Sequence, residues 1–331
     1  MQRTNTGLAF KKTLYCKNTF LTRLVIMKNY LFTILFFLVS LLRSNAQDDP
    51  LFTQYLINPQ SINPAYIGSH DMLQATMLTR LQNLGAARDF GTPSTSLVSA
   101  SMPMSNYNLA FGLNAMRDSY AFNTTTELDG ILAYRIYSGK EKISFGITAG
   151  FINRGIDFSK LNIFDTGDSS FLAQQTGFKP TFGFGAYYIS PNKYIGFSIP
   201  RLRDASVESS EGEAFKRQLY ITAGLLIDHK RYSFLRIRPS FLFKYVENGR
   251  ITIDLSGTLI FNDMVFAGLS VRNYNSVNLF GQLQISRAFR AGYSIDLATS
   301  DIFENTYGTH EISLLIGLPL LHTHRLQTVY F

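Results

Sequence analysis

The sequence predicts an all-β protein: a transmembrane, antiparallel, up-and-down β-barrel of about 14 strands with an N-terminal plug or periplasmic segment. Three observations predict it. The chain opens with a basic leader that ends as export signals end. Beyond that leader no run of eighteen apolar residues occurs, which excludes helical membrane spans. What does occur, again and again, is strict alternation of apolar and polar residues, the period of a strand with two unlike faces. Arg250 to Phe261, RITIDLSGTLIF, is the clearest case. Ile251, Ile253, Leu255, Leu259 and Phe261 share one face, and Arg250, Thr252, Asp254, Ser256 and Thr258 share the other. That stretch is longer than the usual soluble strand of ~5–6 residues and close to the ~9–11 tilted residues that cross a bilayer. The oily face is therefore assigned to lipid and the polar face to a watery lumen. Unpaired backbone groups in lipid cost several kcal/mol, so such strands must close into a ring.

The leader comes first. Residues 1–46 hold seven of the 31 Lys and Arg and none of the 23 Asp and Glu. The formal charge of +8 is thus mostly theirs, and the rest of the chain nearly balances. No basic patch or RNP-like motif follows, so nucleic acid is not expected as a partner. Residues 27–46 read as a signal peptide: Met27-Lys28, an apolar run from Tyr30 to Leu42, then Arg43-Ser44-Asn45-Ala46 with the cut after Ala46. Residues 1–26 read as an overextended start. The alternative is a retained anchor from Phe20 to Leu42, with Arg23 and Lys28 snorkelling. Cys16 is the single cysteine, so a mature chain from Gln47 has no thiol for a disulfide, a cysteine-bound zinc or nucleophilic catalysis.

Residues 47–71 do not alternate. Asn58-Pro59 and Asn63-Pro64 break both helix and ladder, because proline lacks the donor and restricts its predecessor. Phe52, Tyr55, Leu56, Ile57, Ile62, Tyr66 and Ile67 need burial, and the lumen or its periplasmic mouth is the available place. This stretch is expected to plug the barrel.

Residues 72–331 are the expected barrel. Alternation places strands near 72–82, 94–103, 108–117, 125–137, 141–153, 179–189, 193–200, 216–228, 232–246, 249–261, 264–273, 276–286, 289–298 and 308–318. An even number suits a barrel with both termini on the periplasmic side. The lipid face is clearest at Leu128, Leu132, Tyr134 and Ile136, at Ile143, Phe145 and Ile147, and at Leu219, Ile221 and Leu225; Arg135, Asp254, Arg290 and Asp296 are expected in the lumen. The 28 Phe and 18 Tyr, with no Trp, supply interfacial girdles. Tight connectors fall at Ser138-Gly139-Lys140, Pro191-Asn192, Glu247-Asn248-Gly249 and Asn262-Asp263. Two long ones, 154–178 and 201–215, are expected outside the cell, where a partner can touch them. The rival fold is a soluble β-sandwich, whose polar face would look outward.

Residue sets for chemistry are thin. Asp165-Thr166-Gly167 matches the acid-protease triplet, but once and in a long loop. Asp165, Asp168, Ser169 and Ser170 lack the spacing of a calcium loop. His322 and His324 with Glu311 lack a further ligand at fixed spacing. His70, His229 and His310 sit in no triad motif, and neither G-x-S-x-G nor a P-loop occurs. No catalytic, cofactor-binding or metal residue is expected.

One motif is specific. Asp49, Pro50, Phe52, Gln54, Tyr55, Asn58, Pro59, Asn63, Pro64, Ala65, Tyr66, Gly68 and Ser69 form D-P-x-F-x-Q-Y-x-x-N-P-x-x-x-N-P-A-Y-x-G-S. This resembles the opening of the PorP/SprF family of type IX secretion proteins in the outer membrane of Bacteroidetes. Further likenesses are Ala133-Tyr134-Arg135-Ile136, Asp157 to Leu161, Gly183 to Tyr188 and Gly196 to Pro200, and the resemblance runs from about Gln47 to Ser313. Two departures stand out: Arg80 to Leu84 replaces a tryptophan usual after the first strand, and the chain runs on past His310-Glu311-Ile312-Ser313 to Phe331. The resemblance implies an outer-membrane location and a non-enzymatic part in secretion, surface attachment of cargo or gliding motility. Its implied partners are outer-membrane lipid, periplasmic type IX components and secreted adhesin-like proteins, and the motif residues would form the plug or a partner contact. The other functional reading is a diffusion channel for small or hydrophobic solutes, with the N-terminal segment as its hatch.

Overall fold

The computed structural model describes residues 51–85, 92–104, 107–156, 176–202, 216–228, 234–247, 249, 251–273, 275–299 and 306–319. The leader with its cut after Ala46, Asp49 and Pro50, the Asp165 loop, His229 and the His322–His324 tail lie outside the described residues.

Alternating sequence becomes antiparallel strand throughout. In chain order the strands are β1 (Met72–Leu81), β2 (Ser94–Met104), β3 (Leu109–Tyr120), β4 (Asn123–Ser138), β5 (Glu141–Ile156), β6 (Thr176–Ser190) and β7 (Lys193–Arg201). They continue as β8 (Gln218–Leu225, resumed after Leu226 as Ile227–Asp228), β9 (Leu235–Val246), β10 (Ile251–Phe261), β11 (Val265–Arg272), β12 (Ser276–Gln284), β13 (Phe289–Ala298) and β14 (Thr309–Pro319). Each pairs with the next in sequence. The first also pairs with the last, from Met72 opposite Pro319 to Leu81 opposite His310, so the described residues form a closed ring of 14 strands. Thr309–Pro319 is thereby the closing strand.

The ring's sidedness follows the alternation. Along β10, Thr252, Asp254, Ser256 and Thr258 turn inward and are buried, whereas Leu255 is 54% exposed and Leu259 looks out beside it. Phe145, Ile147, Phe182 and Ile312 continue the outward apolar surface on other strands. A sandwich would bury these residues and expose the hydroxyls; this ring does the reverse, as a sheet bathed in lipid requires. Exposed tyrosines mark the strand ends, Tyr107 at one rim and Tyr120, Tyr245 and Tyr307 at the other, where rings with a polar tip sit at membrane interfaces.

The two rims differ. One holds the start of β1, the end of β14 and tight turns such as Gly139-Lys140 and Asn262-Asp263. Asn262 and Asp263 both have positive φ, 49° and 57°, as the central pair of a type I′ turn does, and the Met264 N–H closes that turn on the Phe261 carbonyl. The opposite rim carries the long connections, spanning 82–93, 157–175 and 202–217.

Inside the ring, the residues before β1 make three short 3-10 helices, Thr53–Leu56, Pro59–Ser61 and Pro64–Gly68. Proline opens the second and third, where its missing N–H costs nothing. Phe52, Tyr55, Ile57, Tyr66 and Ile67 are buried against inward side chains of the wall.

Candidate functional site

The segment from Leu51 to Asp71 runs through the lumen and is bonded to the wall at successive levels. It begins near the long-connection rim. There Glu311 of β14, fully buried, accepts from the backbone N–H of Thr53 (2.8 Å) and of Gln54 (2.9 Å). A carboxylate at that place satisfies donors that open a helical turn and have no partner within it. Arg80 bridges Glu311 and Asp296, the latter at 2.9 Å, and Asp296 also accepts from the Thr53 hydroxyl at 2.6 Å. Arg272 joins in, 3.0 Å from Asp254 and 3.1 Å from the Thr53 hydroxyl. Three carboxylates and two guanidinium groups thus surround one turn of the segment, and buried charges survive only when paired in this way.

Further down, amides replace charges. Gln54 donates to the Glu311 carbonyl and accepts from Ser313. Asn58 donates to Ser99 at 2.8 Å, and Gln60 reaches the carbonyls of Ala100 and Leu113 and the Asn114 side chain. Across the lumen, the Asn63 amide donates to the carbonyls of Ala186 (3.1 Å) and Phe197 (3.2 Å) while its oxygen accepts from Ala65 N–H. Ser198 and Ser144 donate to the carbonyls of Ile62 and Ala65. The two asparagines that precede proline therefore hydrogen-bond opposite parts of the wall.

Glycines make room for this. A Cβ on Gly146 would lie 2.5 Å from the Ala65 nitrogen, and one on Gly185 or Gly292 would strike Asn63 or Gln54. Nearby, Tyr66 packs edge-on against Tyr187 at 5.5 Å, and Tyr187 stacks on Tyr194. The segment ends at the tight-turn rim, where Asp71 pairs with Arg135 at 2.8 Å and with Lys142, and takes a bond from the Tyr137 hydroxyl. Partial burial pushes the Asp71 carboxyl up, but the Lys142 ammonium and then the Arg135 guanidinium outweigh it, leaving the group below the usual carboxylate range.

Of the motif residues, Phe52, Gln54, Tyr55, Asn58, Pro59, Asn63, Pro64, Ala65, Tyr66 and Gly68 all lie in this lumen segment, and all are buried. Arg135, Asp254, Arg290 and Asp296 turn into the lumen; Arg290 stacks 4.2 Å over Phe266. His70 bonds the Tyr66 hydroxyl, while His310 faces outward against Tyr293, so the two histidines share no site. Among the described residues no group of three His, Cys, Asp or Glu could hold a metal. Alternation alone did not single out Arg80, Arg272 and Glu311, although the parity of their strands carries the signal; glycines on a polar face were the other clue.

A model of the family described as type IX secretion system membrane protein PorP/SprF matches residues 44–316. The chain belongs to the PorP/SprF family. No curated protein matches it in sequence. Among solved structures, the PorP/SprF barrel is similar to the monoaromatic hydrocarbon channel CymD, with TM-score 0.51 and 10% identity over 85% of this chain and 96% of that one. It is also similar to the P. putida toluene transporter TodX, with TM-score 0.51 and 8% identity over 81% and 95%. At these identities the likeness is one of fold: this is an outer-membrane type of barrel.

Proposed function

We propose that this protein is a non-enzymatic scaffold of the type IX secretion machinery, fixed in the outer membrane and supporting secretion or surface attachment of cargo proteins. The observation that carries the reading is the lumen segment. Bonded at one end by Glu311 and Asp296 and across the lumen by Asn58, Gln60 and Asn63, it serves as a built-in plug. In this reading the tight-turn rim faces the periplasm and docks to periplasmic components, and the long connections face adhesin-like secreted proteins. The motif from Asp49 to Gly68 holds the plug in register. Export proceeds by a signal peptide cut after Ala46, which N-terminal sequencing of the mature protein checks.

Deleting the gene and fractionating the cells tests the role: loss of one or more surface proteins into the periplasm is expected, and unchanged export of all of them would overturn it. Liposome swelling separates a scaffold from a diffusion channel. The purified protein is expected to pass no small solute; swelling comparable to that of a general porin would favour the channel.

A further inference from the structure

The tight-turn rim is not the same all round. The turn between β4 and β5 is Gly139-Lys140 and that between β6 and β7 is Pro191-Asn192; both are exposed and polar, and the Asp71, Arg135 and Lys142 cluster lies beside the first. Across the ring the tips are oily. Met264 ends the turn between β10 and β11 and is 53% exposed, Ile285 opens the one between β12 and β13 and is 62% exposed, and Phe234, also exposed, leads into β9. The Asn262 N–H donates to the Phe234 carbonyl and the Gln284 N–H to the Met264 carbonyl, each at 2.8 Å, so the three lie side by side. Val265, Leu283 and Phe289, all exposed, carry the lipid-facing surface down to them without a break.

Strand length shows what covers these tips. β4 and β5 have 16 residues each, whereas β11 has 8 and β12 has 9. At ~3.4 Å per residue and a tilt of ~40°, eight residues rise about 20 Å, short of an apolar band ~25 Å tall. The band has to be completed at one end of these strands. Their long-connection ends lead into Asn273 and Asn275, polar residues that do not belong among acyl chains. Their tight-turn ends lead into Met264 and Ile285, which do. The charges nearby suit the level of lipid headgroups: Asp228 and Asp263 are both paired with Arg236, and exposed Arg287 has a stem long enough to reach phosphate. A wall too short for the bilayer is accommodated by tilt or by local thinning.

We propose that the barrel meets the membrane unevenly at its tight-turn rim. The turns at Phe234, Met264 and Ile285 are sunk in the lipid of that leaflet, and the β4–β5 and β6–β7 turns stand in water. The half-rim open to a water-borne partner is therefore the one at Lys140 and Asn192. The inference rests on the barrel lying in a bilayer and not on the secretion role, which cell fractionation tests separately.

The chain contains no tryptophan, so single tryptophans report their surroundings without background. Met264→Trp, Ile285→Trp, Lys140→Trp and Asn192→Trp are made one at a time, with Leu255→Trp as the lipid reference. Each purified variant is placed in nanodiscs of plain or brominated phosphatidylcholine and titrated with iodide, its folding judged by heat-modifiable gel migration. Met264→Trp and Ile285→Trp are expected to lose most of their emission to brominated lipid, as Leu255→Trp does, and to resist iodide. Lys140→Trp and Asn192→Trp are expected to do the reverse. Iodide quenching of Met264→Trp or Ile285→Trp equal to that of Lys140→Trp overturns the proposal and leaves the oily tips to a protein partner. So does quenching of Lys140→Trp and Asn192→Trp by brominated lipid equal to that of Met264→Trp, since the rim then meets the membrane evenly. Each half-rim carries two positions, so a variant that fails to fold leaves its neighbour to decide.

Discussion

At the scale of the residue, Glu311 is the most consequential side chain in the lumen. Its carboxylate, fully buried, satisfies two backbone donors of the plug and one guanidinium at once. Truncation leaves Arg80 with Asp296 alone and orphans both N–H groups. Glu311→Ala is therefore expected to cost about 3–5 kcal/mol, read as a lower urea midpoint of the folded barrel; a loss under about 1 kcal/mol would mean that the plug is held elsewhere. Asp71 is a milder case, since its side chain is 43% exposed and water screens its pairs. Its folded pKa lies below the unfolded value, so its contribution is full above the ordinary carboxylate range and fades as pH falls through the lower, folded value. Asp71→Asn should cost less than about 1 kcal/mol at neutral pH, and the gap between it and the parent, measured by urea unfolding, should close as the pH drops below about 3–4.

At the scale of the element, alternation settles which side of each strand meets lipid. Leu255→Arg places a guanidinium near the middle of β10 on the apolar side and should cost about 2–4 kcal/mol in refolding into bilayers. Glycine separates the two sides in another way. A Cβ at Gly257, on the outer side of the same strand, meets nothing within 4 Å, whereas one at Gly146 meets the plug backbone. Gly146→Val is expected to destabilise by about 1–3 kcal/mol through overpacking and Gly257→Val to be near neutral; equal effects would place the plug away from β5. The fold was legible for the same reason: period two survives any tertiary context, so strands such as 193–200 and 289–298 fall where the pattern puts them. Edges were less legible. The 216–228 run is interrupted at Leu226, and β6 begins at Thr176, three residues before its alternation is clear. The plug's apolar content and proline breaks were readable, but its bonds were not, because Asn63 to Ala186 and Thr53 to Glu311 join residues more than a hundred positions apart.

At the scale of the whole molecule, ring and plug are one construction. The same strands that present Leu255 and Ile312 to lipid present Asp254 and Glu311 to the plug, so the outer surface and the inner network are set by a single register. Direction matters as well. The plug starts near the long-connection rim at Thr53 and descends to the tight-turn rim at Asp71, where β1 begins and climbs back. Its upstream end therefore lies at the far mouth from the point where it joins the wall, and its charged anchor, Glu311, belongs to the last of the described strands. Such a cork has to be laid between the staves before the final joint zips shut. A barrel assembled without residues 51–69 should accordingly refuse the same stretch offered later as a separate peptide, while the two pieces refolded together should recover the stability of the intact chain.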